Sequence, residues 1–293
     1  MLVTLRDILP AAAHGGYAVP CFNMFGPEEA HATVAAAEAL RWPVILACNK
    51  EMADFMGVQG FVGMVRHLAQ KAQVPVCIHL DHCDNEARIA EALEAGFTSV
   101  MYDGSQLPLE QNIAHTARMA ALAHRHGASI EGEIGSVPYF EGRDHIKSEL
   151  TRPQDAQAFA ERSGVDAMAI AVGNVHRLRE PVATIDYERL TAIEAVCTLP
   201  LVIHGTTGVT EADLRRLKTH RIAKFNIGTT MRMAFTHSLR RALADDPNAI
   251  DRLSLMKPVM QAVQAEARRC LLVLGPETAT KAGTPEGAVA SGV

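Results

Sequence analysis

His82, His176 and His204 stand at or just beyond the ends of short apolar runs. Imidazole is a common ligand of divalent zinc, and three protein ligands with a fourth position open define a catalytic centre. Taken singly, each histidine reads as a polar residue capping a strand. Three of them at strand ends, beside several carboxylates, read as a metal-binding set. Asp81 immediately precedes His82. A carboxylate there can serve as general acid or base, or can orient the imidazole. Asp103 and Glu133 are hard oxygen donors. They can hold a second metal, orient the histidines, or satisfy buried polar groups. The remaining histidines, His79 among them, read as structural or exposed.

Two turns suit an anion. His204–Gly208 reads HGTTG, and Asn226–Thr230 reads NIGTT at the opening of a helix. Backbone N–H groups in such turns and at helix N-termini attract phosphate. A Gly-Thr turn is a weak signal alone; what gives it weight is its place after the seventh and eighth strands.

The elements that must position these groups follow from the hydrophobic pattern. Apolar runs occur at Ala18–Phe22, Val44–Cys48, Val76–Leu80, Ser99–Tyr102, Ser129–Gly132, Ala167–Ala171, Leu201–Ile203 and Ala223–Ile227. Between them lie Glu28–Leu40, Met52–Gln73, Asn85–Ala95, Leu109–His126, Pro153–Ser163, Tyr187–Cys197 and Glu211–Thr219, all with apolar residues at helical spacing. Strands alternating with helices imply parallel pairing through crossover helices. The chain is close in length to a (β/α)8 TIM barrel, an α/β fold, here a single domain over residues 1–275 with an extra C-terminal helix at Ser254–Leu274. A doubly wound open sheet would want a G-x-G-x-x-G turn after the first strand, where Asn23–Pro27 stands instead. In a barrel, chemistry sits at the C-terminal strand ends. Those ends are Asn23, Asn49, Asp81 with His82, Asp103, Glu131 with Glu133, His176, His204 and Asn226. Ile134–Arg152 is long and polar enough to form a lid. Residues 276–293, rich in Gly, Ala, Thr and Pro, read as a flexible tail.

Composition narrows the class. Of 293 residues, 48% are hydrophobic and 21% charged, and the formal net charge is −5. That suits a soluble chain with a sizeable core and excludes a disordered one. No basic excess offers itself to nucleic acid, and no apolar stretch is long enough for a membrane helix. The six cysteines are scattered without a C-x-x-C pair and read as reduced cytoplasmic thiols.

Specific motifs run through nearly the whole chain: YAVPCFN from Tyr17, VPVCIHLDHC at 74–83, GFTSVMYDGSQLPLEQNI at 96–113, IEGEIG at 130–135, AVGNVH at 171–176, PLVIHGTTG at 200–208 and AKFNIGT at 223–229. In this order and spacing the chain resembles the class II, zinc-dependent fructose-bisphosphate and tagatose-bisphosphate aldolases. The resemblance implies zinc on His82, His176 and His204, with Asp103 and Glu133 as carboxylates for a second or alternative metal position. It makes Asp81 the residue that handles the proton of the hydroxyl at the cleaved bond, and Glu141 the proton shuttle of the strand-five loop. Gly205, Thr207, Asn226 and Thr229 would hold the phosphate and hydroxyketone end, with a monovalent cation beside the phosphate. The implied chemistry is retro-aldol cleavage of a ketose phosphate or bisphosphate, with a dihydroxyacetone phosphate-type donor passing through a zinc-stabilised enediolate. The implied partner is a small sugar phosphate, and the implied assembly a homodimer or homotetramer. Other divalent ions could replace zinc, since imidazole selects weakly among them.

Departures from the family pattern bear on substrate. Thr206 adds bulk in HGTTG where many relatives have HGGSG. Arg177 follows the second histidine where many have glycine, and can bind a carboxylate or phosphate or point to solvent. Asn49, then Lys50, stand where relatives often have serine. SVPYFEG replaces a glycine-rich acidic stretch. These changes leave open a different, acidic or non-bisphosphate ketose, or a metal-dependent hydrolase or isomerase on the same barrel. Lys224 is the one lysine placed to suggest a Schiff base instead, and the metal set argues against it.

Overall fold

The computed structural model describes residues 1–140 and 148–276. Eight parallel strands close into a barrel in chain order: β1 (Val19–Asn23), β2 (Val44–Cys48), β3 (Val76–Cys83), β4 (Ser99–Tyr102), β5 (Ser129–Ile134), β6 (Ala167–Ile170), β7 (Leu201–Ile203) and β8 (Ile222–Ile227). The helices are α1 (Leu5–Gly15), α2 (Pro27–Leu40), α3 (Lys50–Lys71), α4 (Glu86–Ala95), α5 (Leu109–Arg125), α6 (Pro153–Arg162), α7 (Tyr187–Val196), α8 (Glu211–Leu217), α9 (Thr229–Asp245) and α10 (Arg252–Leu274). The (β/α)8 expectation holds, and α10 is the extra C-terminal helix, packed against α2 and α9.

Each strand is buried on both faces, as parallel sheets require. Alternate residues face outward into one core with the helices: Phe22, Leu46, Ile78, Leu80, Val100 and Ile130 belong to it. The intervening residues fill the barrel. At its floor Val19, Cys21, Ile45, Cys77 and Ala169 pack against Leu5, Ile8, Leu9 and Ala12 of α1. Following β3 upward, the interior positions read Cys77, His79, Asp81, and β5 reads Ser129, Glu131, Glu133. The barrel is thus apolar below and ionisable above, which sets the site at the C-terminal mouth.

Helix α1 is an element the hydrophobic pattern did not single out. Its apolar residues recur at helical spacing, but it precedes the first strand and so lies outside the β–α alternation. Thr4 and Asp7 cap it: the Thr4 backbone N–H and hydroxyl both donate to Asp7 Oδ2, at 2.7 and 2.8 Å. Its buried face closes the barrel floor.

Three strands run past their expected ends, β1 to Asn23, β3 to Cys83 and β5 to Ile134. In β3 the pairing with β4 shifts between Leu80 and Cys83, and His82 adopts φ 49°. That local kink matters for the site. Strict alternation would turn His82 away from the barrel once Asp81 faces in. The irregularity lets both enter the mouth.

The segment after β5 is anchored at both sides. Ser136 pairs with Glu149, and Tyr139 pairs with His176. Glu141, the expected proton shuttle, lies outside the described residues, as does the tail beyond residue 276. No helix among the described residues is long and apolar enough to cross a membrane.

Candidate active site

The barrel brings the sequence-nominated residues to one mouth. Asn23, Asn49, Asp81, His82, His176, Arg177, His204, Gly205, Thr206, Thr207, Asn226 and Thr229 line one open cavity of about 620 Å³. Asp103 and Glu133 line an adjoining cavity that shares His82 and His176 with the first.

Ligand atoms of His82, His176 and His204 lie within 4.8 Å of one another, and so do those of His82, Asp103 and Glu133. Carboxylates set the orientation of two imidazoles. His82 Nδ1 is 2.8 Å from Asp103 Oδ2, and His204 Nε2 is 2.9 Å from Glu131 Oε1. Each carboxylate accepts an N–H, so the other nitrogen of each ring carries its lone pair inward. Those two nitrogens, His82 Nε2 and His204 Nδ1, are 2.8 Å apart. Two lone pairs this close call for a cation or a proton between them. His176 Nε2 is also buried with no hydrogen-bond partner among the described residues. The donor set therefore fits a divalent metal.

The electrostatics agree. Burial pulls the His82 imidazole down, yet Tyr139, Asp81 and Asp103 together raise it well above its ordinary value. Burial, then the positive His82, push His176 and His204 well below theirs. Burial opposes ionisation of Asp103, but His82 and Ser105 hold it well below the carboxylate range. Glu133 moves the other way: burial and the neighbouring Asp103 push it up to about 8. Neighbouring carboxylates driven apart in this way mark functional sites.

Asp81 is held on both oxygens. Asn23 Nδ2 donates to Oδ2 and Asn226 Nδ2 to Oδ1, each at 2.8 Å. Burial resists its charge, but His82, His204 and Lys224 hold it below its ordinary value. Asp81 is therefore an ionised, immobilised carboxylate beside the histidine cluster, as a general base requires.

Lys224 lies beneath. It is fully buried; its Nζ is 2.8 Å from Glu131 Oε2 and donates to Asn226 Oδ1 at 2.5 Å. Burial pulls its pKa down, but Glu131 and Asp81 outweigh that and keep it well above the usual lysine value. A lysine so held is an ammonium, not a nucleophile, which removes the Schiff-base reading. It is instead a strut. Through Asn226 it reaches Asp81, and through Glu131 it reaches His204. Residue-by-residue reading of the sequence placed Glu131 at a strand end without giving it a role. Its position two residues before Glu133 puts both on the interior face, and that was the available signal.

Other side chains behave differently from their first reading. Asn49 Oδ1 accepts from Met52 N at 3.0 Å and so caps α3, leaving its amide for the cavity. Thr206 turns its hydroxyl inward to donate to the Asn226 carbonyl at 2.7 Å. Arg177 takes φ 61°, a left-handed conformation that costs a non-glycine residue on the order of 1 kcal/mol. Its guanidinium does not point freely to solvent: it pairs with Glu51 at 2.8 Å. Tyr139, within the expected lid, stacks on His176 with ring centroids 4.4 Å apart.

Gly205 has φ 71°, and a Cβ there would lie 2.4 Å from the Val175 carbonyl oxygen and 2.9 Å from His176 N. Gly205→Ala must therefore displace the backbone that carries His176. We expect a loss of at least about 2 kcal/mol in denaturant unfolding, together with weaker metal retention. An unchanged midpoint with full metal content would contradict the packing described here.

Comparison with known proteins supports the same reading. The family model "Fructose-bisphosphate aldolase class-II" matches residues 3–278. The D-tagatose-1,6-bisphosphate aldolase subunit GatY of Klebsiella oxytoca is 32% identical over 94% of this chain and 98% of its own. A probable fructose-bisphosphate aldolase of Bacillus subtilis is 36% identical over 90% of this chain and 94% of its own. Among solved structures, the YdjI aldolase from Escherichia coli K12 superposes with a TM-score of 0.81 at 29% identity, covering 94% of this chain and 98% of that one.

Proposed function

The chain belongs to the class II fructose-bisphosphate aldolase family of metal-dependent lyases, and on that premise we propose that it cleaves or forms a C–C bond in a ketose phosphate whose ketone half is of the dihydroxyacetone phosphate type. The observation that carries the reading is the pair of inward-facing imidazole nitrogens, 2.8 Å apart, beside an ionised and doubly anchored Asp81. His82, His176 and His204 would hold the metal, zinc in this reading. A divalent ion there supplies Lewis acidity toward the ketone oxygen.

The chain's own groups do the rest. In the cleavage direction Asp81 accepts the proton of the hydroxyl on the carbon that becomes the aldehyde. The bond between that carbon and the donor carbon breaks, and its electron pair passes into the ketone half. Asn23 and Asn226 keep the Asp81 carboxylate aimed while this happens. Gly205, Thr207, Asn226 and the N-terminus of α9 at Thr229 are the donors available to the phosphate. Returning a proton to the donor carbon falls to Glu141 in this reading, a residue outside those described. Asp103 orients His82, and with Glu133 it offers an alternative metal position.

The test is exchange of the donor C–H proton of dihydroxyacetone phosphate, followed by NMR in deuterated water with zinc-loaded protein. Exchange that vanishes on chelation and returns with zinc is the expected result. No exchange with metal bound would overturn the assignment of this donor.

A further inference from the structure

His82 and His204 each donate a ring N–H to a carboxylate, Asp103 in one case and Glu131 in the other. A metal-binding imidazole ordinarily has such a partner, which sets its plane and its tautomer. His176 has none among the described residues: its ring enters no hydrogen bond there, and its Nε2 is buried. Something else must hold that ring, because the outer torsion of histidine is broad and backbone position alone does not set it.

What lies against it is the segment that follows β5. His176 N donates to the Pro138 carbonyl at 2.8 Å, and Phe140 N donates to the His176 carbonyl at 3.0 Å. These two bonds set His176 beside Tyr139 in a parallel bridge. They fix the direction in which the His176 side chain leaves the backbone, but not the plane of its ring. The Tyr139 ring supplies the plane. Its centroid is 4.4 Å from that of the imidazole, and the two planes are 21° apart. His82 meets the same imidazole edge to face, with centroids 5.0 Å apart and planes at 70°. Stacked on one ring and set against the edge of another, the imidazole can tilt only by moving one of them aside. Tyr139 is braced in turn. The Arg177 guanidinium carbon lies 5.3 Å from its centroid, and Arg177 is tied to Glu51 at 2.8 Å.

We propose that Tyr139 is the positioning residue of His176, doing with a stacked ring what Asp103 and Glu131 do with a carboxylate for the other two histidines. The proposal rests on the metal reading of the three imidazoles. It is tested through metal binding rather than turnover, so a failure of the aldol donor assignment leaves it standing. Cobalt(II) titrated into metal-free protein reads affinity and, through its visible absorption, the arrangement of the ligands. A phenyl ring keeps the stack and a leucine side chain does not. Losing an orienting partner weakens metal binding about 10–100-fold, so Tyr139→Leu should bind cobalt about tenfold more weakly, and Tyr139→Phe within about threefold of wild type. The cobalt spectrum at saturation should change in Tyr139→Leu and stay as in wild type in Tyr139→Phe. Tyr139→Gly removes the side chain altogether and should match Tyr139→Leu; the unfolding midpoint of each metal-free variant checks its fold. Wild-type affinity and spectrum in the leucine and glycine variants would overturn the proposal. So would a lowered midpoint with a wild-type spectrum at saturating cobalt, since the role would then be structural. Tyr139→Phe as weak as Tyr139→Leu would also overturn it, by moving the effect to the hydroxyl. Wild-type protein that takes up no cobalt would overturn the metal reading and the proposal with it.

Discussion

Asp81→Ala is expected to lower turnover roughly 10²–10⁴-fold, the range for losing a positioned general base, while zinc stays bound. The carboxylate is buried and held by Asn23 and Asn226, but it is not one of the three imidazoles that converge on the metal position. Its removal takes away the acceptor for the substrate hydroxyl proton. The orientation of His82 and His204 is set separately, by Asp103 and Glu131. Donor C–H exchange should therefore survive better than complete cleavage, because that proton does not pass through Asp81. Metal analysis alongside steady-state rates and exchange by NMR would check this. Turnover within tenfold of wild type would remove Asp81 from the proposed mechanism, and loss of zinc would make its role structural.

The second large effect is expected at Glu131, which lines neither of the two cavities at the mouth. It accepts from His204 and pairs with Lys224, and all three side chains are fully buried. Glu131→Ala would leave an ammonium buried without its carboxylate, a change that typically destabilises by about 3–5 kcal/mol. It would also free the His204 ring to turn, and losing such an orienting partner usually weakens metal binding about 10–100-fold. Glu131→Gln should lie between, since it keeps an acceptor for His204 but not the charge for Lys224. Chemical unfolding and zinc titration would measure the two effects independently. Wild-type stability and affinity in Glu131→Ala would show that Lys224 and His204 are held by something other than this carboxylate.

The strand ends were readable because a parallel barrel leaves little freedom. Strands that alternate with helices must pair in chain order, and their C-terminal residues must meet at one mouth. Asp81, His176, His204 and Asn226 could therefore be placed together from the sequence. Interior parity was readable too: Glu131 and Glu133 differ by two positions and so share a face. Helix α1 was not singled out, since nothing in the β–α alternation marks a segment that closes the floor from outside it.

What only the folded chain decided are the contacts that local patterning does not encode. His82 enters the mouth beside Asp81 because the backbone turns to φ 49° where β3 slips against β4. Arg177 meets Glu51 across 126 positions of sequence, and Lys224 joins a carboxylate on β5 to an amide that holds Asp81. Periodicity states which face of an element a residue occupies, because it follows from backbone geometry alone. It does not state which partner a long side chain finds there, because that depends on the register, twist and bulges of strands far apart in sequence. The composition and motifs of this chain thus determined its barrel and the donor set gathered at its mouth. The closure of the barrel decided which charges are paired, and it leaves Arg232 without an ion pair among the described residues.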